Sequence, residues 1–337
     1  MLQNNYRQGG ETIYNKIFRD DAYRNELKQF IEEKYNLCIH SIHEAKRGFF
    51  GETWKIITAS VDYFVKIDYC DAHKQIYMNS LEIVEHLTSH NITHISKILK
   101  TNSNQLFTIF NSGVLGVFDF VIGENTEDYP VSRLFEKLAP IYKVQVSTTN
   151  VYIRKEDYDI GYIDDYYNNF IVIKSMNTNP SANGLTNFLE EKSQLIKYRA
   201  ERLEIFAKRC KDDYTNFYIT HGDAGGNSII DGDNFSIIDW DYPMLSPIER
   251  DAWFFMSHEK DIMTINQILN SQDIDYKLQK NRLAFYCYYS FFYYLHEHLT
   301  CFFDFHDQAT RESIVEDIKG FFSCWINNQM NIADKFE

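Results

Sequence analysis

His221-Gly222-Asp223-Ala224-Gly225-Gly226-Asn227, and the run Phe235-Ser236-Ile237-Ile238-Asp239 that ends twelve residues after Asn227, decide how this chain is read. The first segment follows the apolar stretch Phe217-Tyr218-Ile219, and the turn residues Asp231, Gly232 and Asp233 lie between the two. This is a strand, a loop and a hairpin, with a carboxylate and an amide on the loop and a second carboxylate where the hairpin ends. A loop Asp and Asn and an Asp on the neighbouring strand can converge on one cleft. Such a set suits phosphoryl transfer, which needs a carboxylate near the acceptor hydroxyl and oxygen ligands holding Mg²⁺ against the phosphates. Asp and Asn also shape turns on their own, so the weight lies on both segments occurring in this order.

The protein-kinase signature has the same order: His-x-Asp, then Asn, then a metal-binding Asp on the next strand. His221 to Asn227 resembles the catalytic loop of aminoglycoside phosphotransferases and the related kinases of choline and methylthioribose. The stretch Ile237-Ile238-Asp239-Trp240-Asp241-Tyr242-Pro243-Met244-Leu245-Ser246-Pro247-Ile248-Glu249-Arg250-Asp251 is similar to the spectinomycin phosphotransferases of bacteria in its Ile-Asp-Trp-Asp, Pro-Met-Leu and Glu-Arg-Asp elements. The resemblance implies Asp223 as catalytic base, Asn227 and Asp239 as Mg²⁺ ligands, and His221 and Asp251 as supports of the loop. It leaves Asp241 as a further group near metal or substrate. One departure stands out. Kinase loops place Asn five residues after the Asp, whereas Asn227 is four after Asp223 and Ser228 holds the fifth place. Gly225 and Gly226 permit a tighter path, and Asn227 is expected as the ligand, with Ser228 as the alternative.

Before this region the pattern is a small sheet with helices. A helix is expected from Asp21 to about Tyr35, with Leu27, Phe30 and Ile31 at helical spacing. Short β-type runs follow at Ile39–Glu44, Trp54–Thr58 and Tyr63–Ile67, a helix at His73–Ser89, and two more runs at Leu106–Phe110 and Val114–Ile122. Lys66, ending the run Tyr63-Phe64-Val65, resembles the phosphate-contacting lysine of this superfamily's third strand. Gly48 and Gly51, flanking Phe49-Phe50, fall where these kinases close a loop over the phosphates. The family also implies a Glu partner for Lys66 on the next helix. At 100° per residue, Ile76, Ile83 and Leu87 share the buried face and Ser80 lies inward, while Glu82 and Glu85 point nearly opposite. No carboxylate stands where the partner is expected. Phe118-Asp119-Phe120-Val121, in the run to Glu124, resembles the strand and hinge that bind adenine through backbone groups.

Beyond about Gly123 helical patterns dominate, at 131–147, 185–210, 248–257, 280–299 and 309–330, around one β pair formed by Phe217–Thr220 and Ser228–Asp239. The expected architecture is α+β and bilobal, protein-kinase-like: a nucleotide-binding lobe over 1–120, a hinge at 121–124 and a catalytic and substrate lobe over 125–337. Residues 1–120 carry 13 Lys+Arg against 14 Asp+Glu, and the remainder 21 against 34. The net charge of −14 therefore sits almost wholly in the second part, which excludes a basic nucleic-acid face and suits a cationic acceptor. Glu156, Asp157, Asp159, Asp164 and Asp165 lie among Tyr152, Tyr158, Tyr162, Tyr166 and Tyr167, a combination fit for ion pairing and cation–π contact, although a charge run is more often a solvated face. The aromatic cluster over 285–294 reads as core. No apolar stretch approaches the roughly 20 residues of a membrane span. Six scattered cysteines without metal or disulfide spacing read as reduced, mostly buried thiols of a cytoplasmic protein. The expected cofactors are ATP or GTP with Mg²⁺, and the expected partner is a small cationic substrate. Nothing in the sequence sets the oligomeric state.

Overall fold

The side chain of Asp20 accepts a hydrogen bond from the Tyr23 amide at 2.9 Å, and this cap starts the first helix, α1 (Asp21–Tyr35). Asn36, at φ 52°, ends it in the left-handed conformation. The computed structural model describes residues 20–45, 51–146, 151–213, 215–304, 307–324 and 326–336. After α1 come β1 (Ile39–Glu44), β2 (Gly51–Thr58), β3 (Asp62–Asp68), α2 (Asp71–Ser89), β4 (Ile98–Leu99), β5 (Thr108–Phe110) and β6 (Gly113–Asp119). They form one antiparallel sheet of order β1-β2-β3-β6-β4, with β5 also on β6. β3 is thus central, with Lys66 opposite Thr53 on one side and Gly116 on the other. Because side chains alternate along a strand, Val65 and Ile67 face a core shared with Trp54, Leu115 and the α1 residues Leu27 and Ile31, and Lys66 faces the other way, towards α2.

The second part contains β7 (Glu124–Asn125), α3 (Val131–Tyr142), β8 (Arg154–Lys155), α4 (Gly161–Ser175), α5 (Pro180–Glu191), α6 (Ser193–Lys211), β9 (Tyr218–Thr220), β10 (Ser228–Asp231), β11 (Asn234–Ile237), β12 (Met244–Ser246), α7 (Glu249–Ala252), α8 (Glu259–Ser271), α9 (Lys280–Asp304), α10 (Gln308–Phe321) and α11 (Ile326–Ala333). Its core is continuous with the inner face of α2, since Tyr77, Leu81, Val84 and Leu87 belong to the same buried cluster as Leu138, Phe206 and Phe292. The architecture is bilobal α+β, with an antiparallel sheet in the first part and mainly helices in the second.

Three sequence expectations are corrected here. The run at 217–220 does not pair with 228–239. β10 and β11 form their own hairpin, the other edge of β10 is taken by β7, and β9 pairs with β12 instead. The pattern at 185–210 is two helices, of which the first starts earlier, at Pro180, where Asn179 accepts from the Ala182 amide. The expected helical patterns left out α4 and α8. The β-branched and aromatic content of α4 favours a strand, but Ile163, Tyr166 and Ile173 are buried in the main core, with Tyr166 against Phe292 of α9.

The two parts touch at a second place besides the connection at 120–125. After α2, Ile95 forms a parallel bridge with Ile237, the Ile237 amide donates to the His94 carbonyl at 2.9 Å, and His94 Nε2 donates to the Lys137 carbonyl at 2.7 Å. None of the six cysteines is in a disulfide, and Cys210 and Cys287 are the fully buried ones. Among the described residues no helix is long and apolar enough to cross a membrane.

Candidate active site

The loop that leaves β9 at His221 is fixed from three sides. Asp251, on α7, accepts the amides of His221 at 3.3 Å and Gly222 at 2.5 Å, and the Tyr142 hydroxyl at 3.0 Å. His221 is buried. Its Nε2–H donates to the Ile238 carbonyl at 2.9 Å and its Nδ1 accepts the Asp223 amide at 3.1 Å, which requires a neutral ring. Burial pushes its pKa below the usual range, in keeping with that tautomer. Gly222, at φ 88°, passes over the Arg250 guanidinium, where a Cβ would lie 2.3 Å from the guanidinium carbon. Arg250 in turn donates to the Tyr242 carbonyl at 2.9 Å and the Thr220 hydroxyl at 3.1 Å. One imidazole thus links the loop to the strand end before Asp239, and the adjacent Arg250 and Asp251 brace the loop from below. Beneath them Glu249 is fully buried, and burial raises its carboxyl to about 7 although Tyr276 and the Gln279 amide donate to it.

The shortened loop closes as a single 3₁₀ turn, Ala224–Gly226. Asn227 Nδ2 donates to the Asp223 carbonyl at 2.9 Å and to Asp223 Oδ2 at 3.0 Å, so the loop Asp and Asn are adjacent. Asn227 also lines the cleft. Ser228 is buried, with its hydroxyl on the Ala224 carbonyl at 3.1 Å and Tyr129 at 3.3 Å. Asn227→Ala is therefore expected to lose most turnover and Ser228→Ala to stay near wild type in kcat, with roughly 1 kcal/mol lost from stability. Steady-state kinetics beside thermal denaturation check this, and the reverse ranking would move the assignment to Ser228.

Asp239 has φ 63°, a left-handed backbone that costs a non-glycine residue about 1 kcal/mol or more. The Ile238 amide, donating to the Asn227 carbonyl at 2.9 Å, and Trp240 Nε1, donating to the Ile237 carbonyl at 3.2 Å, hold the chain on either side of it. From the opposite lobe Lys66 Nζ reaches Asp239 Oδ1 at 3.0 Å and also bonds Asp241 Oδ2. Burial alone would lower the lysine pKa, but the two carboxylates outweigh it and raise it. Asp241 is raised to about 6 by burial and by Asp239 beside it, against the opposing pull of Lys66.

These residues open on a cleft of about 1070 Å³ between the lobes, at the large end of small-molecule sites. Phe118, Asp119, Phe120 and Val121 line its far wall, with Gly123. The Phe120 amide donates to the Asp62 carbonyl at 3.1 Å and the Asp119 carbonyl accepts from Ser96 at 2.7 Å, whereas the Phe120 carbonyl and Val121 amide have no hydrogen-bond partner among the described residues.

Of the remaining expected residues, Gly48 lies outside the described residues. Gly51 opens β2, not a loop tip, and a Cβ there would lie 2.1 Å from the Ile67 carbonyl oxygen. Asp164 and Asp165 stand on α4 and do not line the cleft; Asp165 is 3.6 Å from His296 Nδ1. Beside them, however, Tyr162 packs on Tyr289 and Tyr293 of α9 with ring centroids 5.4 and 5.6 Å apart. Tyr242, three residues past Asp239, feels the charges of Asp241 and Glu297. The aromatic stretch of α9 thus combines core residues such as Phe285, Phe291 and Phe292 with half-buried Tyr289 and Tyr293. Tyr289, Tyr293 and Glu297 share one helical face by their i, i+4 spacing.

No protein-family profile matches the chain, and no curated protein is similar to it in sequence. In three dimensions it has the fold of the small-molecule kinases. Spectinomycin phosphotransferase, solved with ADP and spectinomycin, superposes with a TM-score of 0.73 at 19% identity over 92% of this chain and 97% of that one. An aminopropanol kinase associated with microcompartments matches at TM-score 0.64 and 10% identity, covering 92% and 98%. Amicoumacin kinase, in complex with AMP-PNP, Ca²⁺ and its substrate, matches at 0.59 and 13%, covering 93% of each.

Proposed function

We propose that the protein is an ATP- or GTP-dependent kinase that phosphorylates a hydroxyl of a small cationic acceptor, an aminoglycoside or aminocyclitol antibiotic first among them. The observation that carries this is the convergence of Lys66, Asp239 and Asn227 on one cleft, with Asp223 bonded to Asn227 at its edge. Residues 1–120 serve as the nucleotide lobe, 121–124 as the hinge and 125–337 as the catalytic and acceptor lobe. The adenine edge meets the Phe120 carbonyl and Val121 amide, and Lys66 contacts the phosphates. Asp239 Oδ and Asn227 Oδ1 are hard oxygen donors facing the same space and fit Mg²⁺. When bound, the ion neutralises charge on the transferring phosphoryl group. Asp223 orients the acceptor hydroxyl and takes its proton, and His221 keeps Asp223 in register through its amide. Most of the rate comes from positioning.

The acceptor side is assigned to Asp223, Tyr242 and the Tyr162, Tyr289 and Tyr293 rings with Glu297 nearby, and Asp164, Asp165 and Asp241 add to the negative field. Rings and carboxylates together suit an ammonium group. An amino alcohol carries the same ammonium group, and the similarity to an aminopropanol kinase favours that second reading over a neutral sugar. A panel of aminoglycosides, aminocyclitols, choline, amino alcohols and sugars, scored by phosphate transfer from ATP and GTP, tests the proposal. The best acceptor is expected to be cationic, with a KM that rises several-fold between low and physiological ionic strength, where the Debye length shrinks to about 8 Å. A neutral best acceptor or a salt-independent KM would remove the electrostatic argument.

A further inference from the structure

The face of α2 that meets Lys66 offers it no counter-ion. The Tyr77 ring centre lies 5.6 Å from Nζ, and Ser80 is buried with its hydroxyl on the Tyr77 carbonyl at 2.7 Å. Leu81 and Val84 complete that side of the cleft. The helix carboxylates are elsewhere: Glu85 pairs with Lys100 at 2.5 Å, Asp71 pairs with Lys74 at the exposed first turn, and Glu82 makes no ion pair with Lys66. Lys66 is nonetheless almost wholly buried, its side chain 6% exposed, and a buried ammonium needs a partner. Both partners come from the other lobe, and they are not equivalent. The Asp239 side chain is 39% exposed and faces the space shared with Asn227, while that of Asp241 is 15% exposed and closes over Nζ.

We propose that Asp241 is the positioning residue for Lys66, replacing from the strand end the carboxylate that α2 lacks. The inference rests on the phosphotransfer reading of the cleft. With Asp239 holding Mg²⁺, Asp241 would be the buried carboxylate left on Lys66 and would fix where the ammonium meets the phosphates. The lysine and the metal-facing carboxylate are then set by one three-residue segment, Asp239-Trp240-Asp241, so that nucleotide and metal contacts move together.

Two measurements on the full chain test this. The first needs no nucleotide: acylation of Lys66 by a small amine-reactive reagent, mapped by mass spectrometry and normalised to Lys197, whose side chain is 66% exposed. Asp241→Asn should accelerate Lys66 labelling several-fold, because the amine loses the buried carboxylate that covers and anchors it. The second is steady-state kinetics with ATP. Asp241→Asn should lower kcat by about 10²-fold, the scale of a misplaced catalytic contact, with a smaller change in nucleotide KM. The defect should persist at saturating Mg²⁺, and Asp241→Glu should recover part of it. Ser80→Glu in the Asp241→Asn background, which returns a carboxylate to the inner face of α2, should regain at least part of the loss. Unchanged Lys66 labelling overturns the proposal whatever the activity. So does a kcat restored by excess Mg²⁺, which would make Asp241 a metal ligand. If the wild type transfers no phosphate, the functional reading fails separately, and labelling alone decides the Lys66–Asp241 pairing.

Discussion

Asp223→Asn is expected to lower turnover by about 10²- to 10⁴-fold, the range a general base supplies, while leaving nucleotide affinity and Tm near the wild-type values. The structure explains why the change should be so selective. Asp223 is exposed and lies outside the residues that line the cleft between the lobes. Its backbone ties, the amide to His221 Nδ1 and the carbonyl to Asn227 Nδ2, do not involve the carboxylate. Asparagine keeps an oxygen that can accept from Asn227 as Asp223 Oδ2 does at 3.0 Å. What it loses is the ability to take a proton. Equal loss in kcat and kcat/KM for the acceptor, with unchanged nucleotide binding by calorimetry, would place the effect in the transition state. A fully active variant would remove Asp223 from the mechanism.

The second large effect is expected at Asp239. In the wild type a nucleotide at a hundredfold excess over its Kd should add about 2.7 kcal/mol, several degrees in Tm, and do so mainly when Mg²⁺ is present. Asp239→Ala should abolish transfer and most of the Mg²⁺-dependent part of that shift. Alanine also has to adopt φ 63°, so a loss of basal stability is expected on top. Asp239→Asn separates the two causes, because asparagine tolerates the left-handed region yet brings no negative charge to the metal. Its basal Tm should lie closer to wild type while the Mg²⁺ effect stays lost. If Asp239→Ala kept Mg²⁺-dependent stabilisation and turnover, the ligand assignment would be wrong.

Much of this site could be read from residue order, and the reasons are local. A carboxylate that must sit in a tight loop after a strand, and another at the end of a hairpin, leave fixed marks: Gly222 under a positive φ, the Gly225-Gly226 turn, the apolar runs before each acid. The strands at 39–44 and the helix at 21–35 were legible for the same reason, since alternation and an Asp cap are written within a few residues. What escaped depends on contacts between distant segments. The partner of Lys66 is 175 positions away and belongs to no periodic pattern on α2. The pairing of β9 with β12 could not be told from pairing with β10, because strand runs this short do not encode their neighbour. α4 carries strand-favouring side chains and is helical through packing against α9. The mixture in the run 285–294 was hidden because half-buried tyrosines and fully buried ones look alike in sequence.

The second attachment of the two lobes bears on how the cleft can open. A single flexible connection would let one lobe swing and twist in any direction over the other. Here the chain is anchored on the helical side twice, by β7 against β10 just after Gly123 and by His94 and Ile95 against Ile237 and Lys137. Together with the core that α2 shares with the second part, two separated anchors oppose twisting of the first part about either one alone. Ile237 is two residues before Asp239, and Ile229 and Ile230 follow Asn227, so both anchors are seated on the hairpin that carries the proposed metal ligands. Any opening of the cleft that keeps both would carry Lys66 and the sheet, while the hairpin with Asn227 and Asp239 stays with the anchors.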